Sequence, residues 1–154
     1  MFGRLFSIKN GEVSVRLDET MRALLNHVSE ELREVLLVND PEATRRLYPT
    51  AYPDDDKLNE DYEEMVHDQL LMQRLDGIDE LQATVNDEVI TIETADAWMN
   101  TINQIRLVLG TRLDVGEDDD QRIDEDDPNA QGQVIYQVLS HILEELTRAR
   151  ISTL

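Results

Sequence analysis

Cysteine is absent from the 154 residues of the chain. Its absence excludes a disulfide framework, a thiolate metal site and catalysis by a thiol. No uninterrupted apolar run reaches the roughly 18 residues that predict a membrane-spanning helix. The N-terminal segment, MFGRLFSIKN, is too short for a signal peptide and is interrupted by Arg4 and Lys9. The sequence therefore predicts a cytoplasmic protein, and its length fits one domain.

Positive charge is scarce, because 14 lysines and arginines face 34 aspartates and glutamates, for a net charge of −20. Nucleic-acid binding normally depends on a basic footprint, and membrane surfaces are anionic as well. The composition therefore favours a protein partner or a cationic ligand and disfavours DNA and membranes.

Motifs that mark catalysis or a bound cofactor are missing. The six glycines show no phosphate-cradling spacing, and there is no Gly-x-Ser-x-Gly. The histidines (His27, His67 and His141) lack zinc-site spacing, and the acidic runs do not fit a calcium loop. Only one Glu-x-x-His motif, Glu64 to His67, has the order found in di-iron bundles. We expect no enzyme, no cofactor and no metal, with an enzymatic or metal-binding bundle as the alternative.

The patterns that are present predict a mainly α fold, a bundle of about four long helices with a small N-terminal β-hairpin. Asn10-Gly11, a strong hairpin signal, lies between alternating apolar residues in 2–17. Apolar residues at helical spacing predict helices over 20–38, 58–81, 93–109 and 131–150. A short helix from Pro41 to Leu47 and a strand or extended entry near 89–92 are also expected.

We interpret 1–154 as a single domain. Its predicted parts are the hairpin (2–17), a helical core (18–113), an acidic loop (114–130) and the C-terminal helix (131–150). In the second long helix, Met65 shares the apolar spacing, and Gly77 predicts a kink or break because glycine costs about 1 kcal/mol relative to alanine inside a helix.

The most regular pattern precedes the acidic loop, in WMNTINQIRLVLGTRLDVGEDDD at 98–120. Arg106 lies at the edge of its apolar stripe, and Gly110 predicts the end of the helix, so that Arg112 would fall in the link to the loop. We expect these arginines to form structural ion pairs, with Asp96, Glu93 or a carboxylate of a neighbouring helix. A functional arginine pair is the alternative. The stripe consists of Ile92, Ala95, Trp98, Ile102, Ile105 and Leu109.

This stretch also resembles a known family. Trp98, the segment NQIRLVLGTRL at 103–113 and the acidic residues after it are similar to the signature of the AosR-type oxidative-stress transcriptional regulators of actinobacteria, long catalogued as a domain of unknown function. The resemblance implies a small cytosolic, oligomeric regulator without assigned enzymatic activity. It also implies these signature or interaction residues: Trp98, Asn103, Arg106, Gly110, Thr111 and Arg112.

The redox switch of that family is attributed to cysteines near the N-terminus and cannot be carried over to a chain without cysteine. Nor does the sequence show a helix-turn-helix with a basic recognition helix. We therefore expect a regulatory protein that acts through protein contacts, as a homodimer. A sequence-specific DNA-binding regulator of a stress or sulfur-metabolism operon is the alternative.

Overall fold

The computed structural model describes residues 4–38, 47, 56–113 and 130–152, without the side chains at 56–60, 62, 63, 112 and 113. The predicted acidic loop (114–130) lies outside the described residues except for Ala130, which is helical. The predicted short helix also lies outside them, apart from Leu47. The elements in chain order are β1 (Phe6–Lys9), β2 (Glu12–Val15), α1 (Glu19–Val38), α2 (Asp56–Thr84), β3 (Val89–Thr91), α3 (Ile92–Leu113) and α4 (Ala130–Ile151). The predicted fold class, mainly helical with an N-terminal hairpin, is confirmed.

The hairpin turns at the predicted dipeptide. Asn10 and Gly11 both have positive φ, 57° and 77°, as a two-residue turn of type I′ requires. Phe6 then pairs with Val15, and Phe6, Val13 and Val15 are buried. Strand β3 adds to the other side of β2, so the sheet order is β1-β2-β3 and all neighbours are antiparallel. The sequence predicted an extended segment there but not its pairing with the hairpin.

Helix α1 begins where the capping residue predicts. The backbone N–H of Met21 donates to Asp18 Oδ1 at 2.8 Å, which satisfies one of the free donors of the first turn. Leu25, Val28, Leu32 and Leu36 are buried along one face, as their spacing predicted.

Arg22 joins the hairpin, the start of α1 and the segment after α2. Its Nε donates to the carbonyl of Leu17 at 2.9 Å, and its Nη2 donates to that of Val15 at 3.2 Å. Its Nη1 donates to the carbonyls of Val85 and Asp87, both at 2.8 Å. One guanidinium therefore satisfies four backbone acceptors that lie outside the regular hydrogen bonding of helices.

A kink or break was predicted at Gly77, and the break is wrong because helix α2 continues through this residue. A methyl group added at the α-carbon of Gly77 would lie only 2.8 Å from Thr101 Oγ1 of α3. Glycine at this position therefore permits the close approach of two helices. The placement of Met65 on the apolar face is also wrong, because its side chain is 56% exposed.

Helix α3 is central, since it contacts α1, α2, α4, β2 and β3. Its predicted stripe is confirmed, with Ala95, Trp98, Ile102 and Ile105 buried. The predicted end at Gly110 is wrong: Gly110 is buried inside the helix, which continues to Leu113. Arg112 consequently lies in the last turn of α3 rather than in a link.

Helix α4 packs against α3 and against β1. Leu139, Ile142 and Leu146 are fully buried, as predicted, whereas Val134, also predicted to face inward, is 45% exposed. Arg150 Nε donates to Asp96 Oδ1 at 2.9 Å and so ties the end of α4 to the start of α3. Among the described helices, none is long and apolar enough to cross a membrane.

Candidate functional site on helix α3

Trp98, the first residue of the predicted signature, is a core residue. Its side chain is completely buried, and its ring meets that of Phe6 edge-on, with 6.3 Å between centroids. The indole N–H donates to Thr84 Oγ1 at 2.8 Å, so the polar atom of this large side chain is satisfied inside the core. Trp98 therefore joins the sheet, α2 and α3, and its environment is structural.

A small polar network lies beside Trp98, where α2 ends and α3 begins. Thr91 Oγ1 accepts from the backbone N–H of Thr94 at 3.0 Å and thereby caps α3. Thr94 Oγ1 in turn donates to Glu80 Oε1 of α2 at 2.7 Å. These contacts set the position of α3 relative to α2.

Among the described residues no carboxylate forms an ion pair with Arg106, and Asp96, one of its expected partners, is bound by Arg150. Its guanidinium carbon lies 5.4 Å from the centroid of the Tyr136 ring on α4, within the range of a cation–π contact. Arg106 Nε is buried without a hydrogen-bond partner. A guanidinium can stack on an aromatic ring in a place where a carboxylate is not available.

The remaining signature residues do not converge on one point. Asn103 is exposed, and Gly110 is buried. Thr111 Oγ1 donates to the carbonyl of Leu107 at 2.8 Å within its own helix. The side chain of Arg112 is outside the described residues. The signature thus combines core packing, an interhelical contact and one solvent-facing amide, and it does not by itself form a site.

A cavity of about 450 Å³ lies between α2 and α3, at the crossing where Gly77 faces Thr101. This feature was not predicted from the sequence, because its walls come from segments separated by a strand. It is lined by Leu70, Gln73, Arg74, Asp76, Gly77, Glu80, Ala97, Asn100, Thr101 and Gln104.

A polar cluster joins α1 to α2 and consists of Glu30, Arg33, Asp79 and Gln82. Arg33 Nη2 donates to Asp79 Oδ1 and to Gln82 Oε1, both at 2.7 Å. Gln82 Nε2 donates to Glu30 Oε2 at 3.0 Å, and this hydrogen bond, followed by that from Arg33, lowers the pKa of the Glu30 carboxyl. Hydrogen bonding to Asp79 raises the pKa of Arg33.

The outward side of α2, here called the methionine face, consists of Asp61, Met65, Asp68, Met72 and Asp76. The steps of four, three, four and four residues place all five on one side of the helix, and all five are exposed. Met65 is 56% exposed and Met72 is 67% exposed. The sequence pattern does not predict this face, because it places Met65 on the apolar stripe of the helix and does not place Met72.

The described residues contain no group of three or more histidines, aspartates or glutamates arranged to hold a metal ion. His27 Nε2 lies 2.9 Å from Glu31 Oε1 in the local pair that helical spacing allows.

Comparison with known protein families finds a match with one family model. A family model described as a domain of unknown function (DUF2017) matches residues 3–150. Neither a curated protein nor a solved structure matches the chain significantly. Because the match with the family model spans almost the entire sequence, the chain belongs to the DUF2017 family.

Proposed function

We propose that this protein is a non-enzymatic cytosolic regulatory protein that acts by binding a protein partner. The methionine face carries the proposal, and it fits a basic amphipathic segment of that partner. The resemblance of the segment from Trp98 to Leu113 to AosR-type regulators supports the regulatory part.

Met65 and Met72 lie on the same side of α2, about two turns apart, and both expose apolar surface to water. Methionine is flexible and polarisable, so such a surface adapts to varied apolar anchors. Asp61, Asp68 and Asp76 alternate with the methionines on the same face. Lysines or arginines flanking the apolar anchors of a partner helix would meet these carboxylates, and the net charge of −20 would accelerate their encounter.

Four of the described arginines on helices support a protein partner over DNA. Arg22 and Arg33 are bound by carbonyls and carboxylates, respectively. Arg148 lies 2.6 Å from Glu145, and Arg150 lies 2.9 Å from Asp96. These four guanidinium groups are already bound within the fold, so they offer little to phosphates. DNA-binding regulation of an operon is the alternative that the resemblance suggests, and no contact of the described residues favours it.

The experiment measures binding of a designed Leu/Lys amphipathic helical peptide by fluorescence anisotropy. A scrambled peptide of equal charge reports purely electrostatic attraction. We expect Met65→Gln/Met72→Gln to weaken binding of the amphipathic peptide about tenfold, which corresponds to losing roughly 1.4 kcal/mol of apolar contact. Binding of the scrambled peptide should not change.

Val134→Gln is the matched control, because it also removes an exposed apolar side chain, but from α4. It should leave the affinity unchanged. Equal affinities for the two peptides, or no effect of the double methionine substitution, would reject the methionine face as the binding surface.

Homodimerisation belongs to the same proposal. A symmetric contact brings together two chains that each carry a charge of −20, so the dimer should strengthen as salt screens their repulsion. Sedimentation equilibrium at low and high salt measures this directly. If the chain is monomeric at both salt concentrations, homodimerisation is rejected, and the proposed partner is a different protein.

A further inference from the structure

We propose that the cavity between α2 and α3 binds a small organic cation with several N–H donors, such as a diamine or a polyamine. This proposal goes beyond the protein contact proposed above and involves a neighbouring surface, which shares Asp76 with the methionine face. It depends on three properties of the cavity: its volume, an unpaired hydrogen-bond acceptor and its charge.

The volume suits a small ligand. At about 450 Å³ the cavity falls within the range of roughly 300–1,000 Å³ that is typical of small-molecule sites. Its floor is the crossing of Gly77 with Thr101, where the missing Cβ leaves the backbone of α2 close to α3. The cavity is framed by two helices that pack against one another, so its shape is maintained without a ligand.

One polar group of α3 lacks a partner there. Gln104 Oε1 is buried and accepts no hydrogen bond. Thr101, which is only 1% exposed, lies one helical turn before Gln104 on the same wall. A buried, unsatisfied polar group costs about 1–3 kcal/mol. An N–H donor of a ligand in the cavity would satisfy Gln104 Oε1.

The charge of the opposite wall selects a cation. Asp76 and Glu80 are exposed carboxylates one turn apart on α2. Glu80 Oε1 accepts from Thr94, which orients that carboxylate. Arg74 also lines the cavity, but its Nη2 donates to the carbonyl of Leu47 at 2.6 Å, so two carboxylates face one guanidinium that is already bound to a backbone carbonyl. An ammonium group near the carboxylates, with a second nitrogen at Gln104, matches the lining.

Isothermal titration calorimetry of the full chain with putrescine and spermidine tests the proposal at constant ionic strength. We expect one molecule to bind per chain. Gln104→Leu, which removes the unpaired acceptor, should weaken binding about tenfold, the effect of one hydrogen bond to a charged group. Asp76→Asn removes an exposed charge from the rim and should also weaken binding, without requiring any change in the core.

Asp61→Asn is the matched control, since it removes the same charge from the same helix about 22 Å away, at 1.5 Å per residue. It should leave polyamine affinity unchanged. If Asp61→Asn weakens binding as much as Asp76→Asn does, or if Mg²⁺ competes equally well, the attraction is diffuse and the proposal is overturned. Absence of binding heat together with unchanged NMR shifts of the Gln104 side-chain amide overturns it as well. The double methionine substitution should retain polyamine binding, so the polyamine site and the protein contact can be rejected independently of each other.

Discussion

Arginine side chains at the residue scale illustrate how a strongly acidic chain distributes its few cations. Arg22 binds carbonyl groups, Arg33 joins two helices, Arg106 stacks on Tyr136 and Arg150 reaches Asp96. Each of these contacts bridges elements that are distant along the chain. Arginine suits this use because its planar group can bind carbonyls, carboxylates and aromatic faces.

Glu30 should make stability depend on pH. Its pKa is lowered from 4.5 in the folded state, so its stabilising contribution is present above pH 4.5 and is lost as the pH falls through the lower, folded-state value. Urea unfolding across this range should show wild type losing its advantage over Glu30→Gln as the pH drops below 4.5. Glu34→Gln, an exposed substitution on the same helix, controls for the loss of charge.

The contact between Arg106 and Tyr136 should appear as a coupling energy. A double-mutant cycle with Arg106→Met and Tyr136→Leu is expected to give about 0.5–1 kcal/mol, the usual strength of a cation–π pair. Methionine keeps most of the apolar stem and removes the unpaired Nε, so the single substitution alone should cost little. A coupling energy of zero in urea unfolding would contradict the interaction.

At the scale of elements, the crossing of α2 and α3 determines where the cavity lies. Gly77 and Thr101 meet with no space for a methyl group, and both residues line the cavity. One glycine thus takes part both in the close approach of the helices and in the wall of the cavity. Helix propensity alone would favour alanine at this position by about 1 kcal/mol.

Gly77→Ala should therefore destabilise the protein despite the better helix propensity of alanine. We expect a loss of roughly 1–3 kcal/mol, the usual cost of overpacking, because the new Cβ would lie 2.8 Å from Thr101 Oγ1. Adding Thr101→Ala removes that oxygen and should recover most of the loss. Thermal unfolding of the two single variants and the double variant measures the effect, and a stabilised Gly77→Ala would refute the close approach.

The elements that local rules specify could be predicted from the sequence. Asn10-Gly11 specified the turn, Asp18 the start of α1, and the spacing around Trp98 the buried face of α3. Predictions failed where a distant segment decides the outcome. Gly110 was expected to end α3 but is buried within it, because tertiary packing outweighs a propensity cost of about 1 kcal/mol.

The candidate site was less predictable still. Periodicity places Met65 on an apolar stripe, but it cannot show which neighbour covers that stripe, and the structure leaves Met65 exposed. The partner of Arg106 lies on another helix, 30 residues later, and is an aromatic ring rather than one of the many carboxylates. The cavity depends on how two helices cross, which no local pattern encodes.

At the scale of the whole molecule, the stability of the fold depends on two opposing features, one apolar core and a strongly negative surface. The buried apolar residues of the sheet and of all four described helices form a single cluster. Around it the chain carries a net charge of −20, which opposes compaction. Ion pairs such as that of Arg33 with Asp79 offset only a small part of this repulsion, because exposed pairs contribute about 1 kcal/mol or less.

Salt should therefore stabilise the fold. Raising sodium chloride from about 0.01 M to about 1 M shortens the screening length from about 30 Å to about 3 Å, which weakens repulsion across the surface more than it weakens the close ion pairs. We expect Tm to rise by several degrees, since about 1 kcal/mol shifts Tm by roughly 2–4 °C in a chain of this size. A similar rise in potassium chloride would indicate screening, whereas a fall in Tm would show that attractive pairs dominate.

The four hydrogen bonds of Arg22 have a consequence for the order of folding. Two of them span 63 and 65 residues of the chain, so they can form only after the hairpin, α1 and the end of α2 have come together. Bonds that close last are mostly absent from the transition state. Arg22→Met should therefore raise the unfolding rate by about tenfold or more while changing the folding rate by less than about twofold.

Stopped-flow kinetics across urea concentrations measure both rates, with the exposed Arg16→Met as control. If the substitution slowed folding as much as it accelerated unfolding, the hairpin, α1 and the end of α2 would already be in contact in the folding transition state. In the expected case Arg22 slows unfolding of the native state and so lengthens its lifetime, while the folding rate hardly depends on this residue.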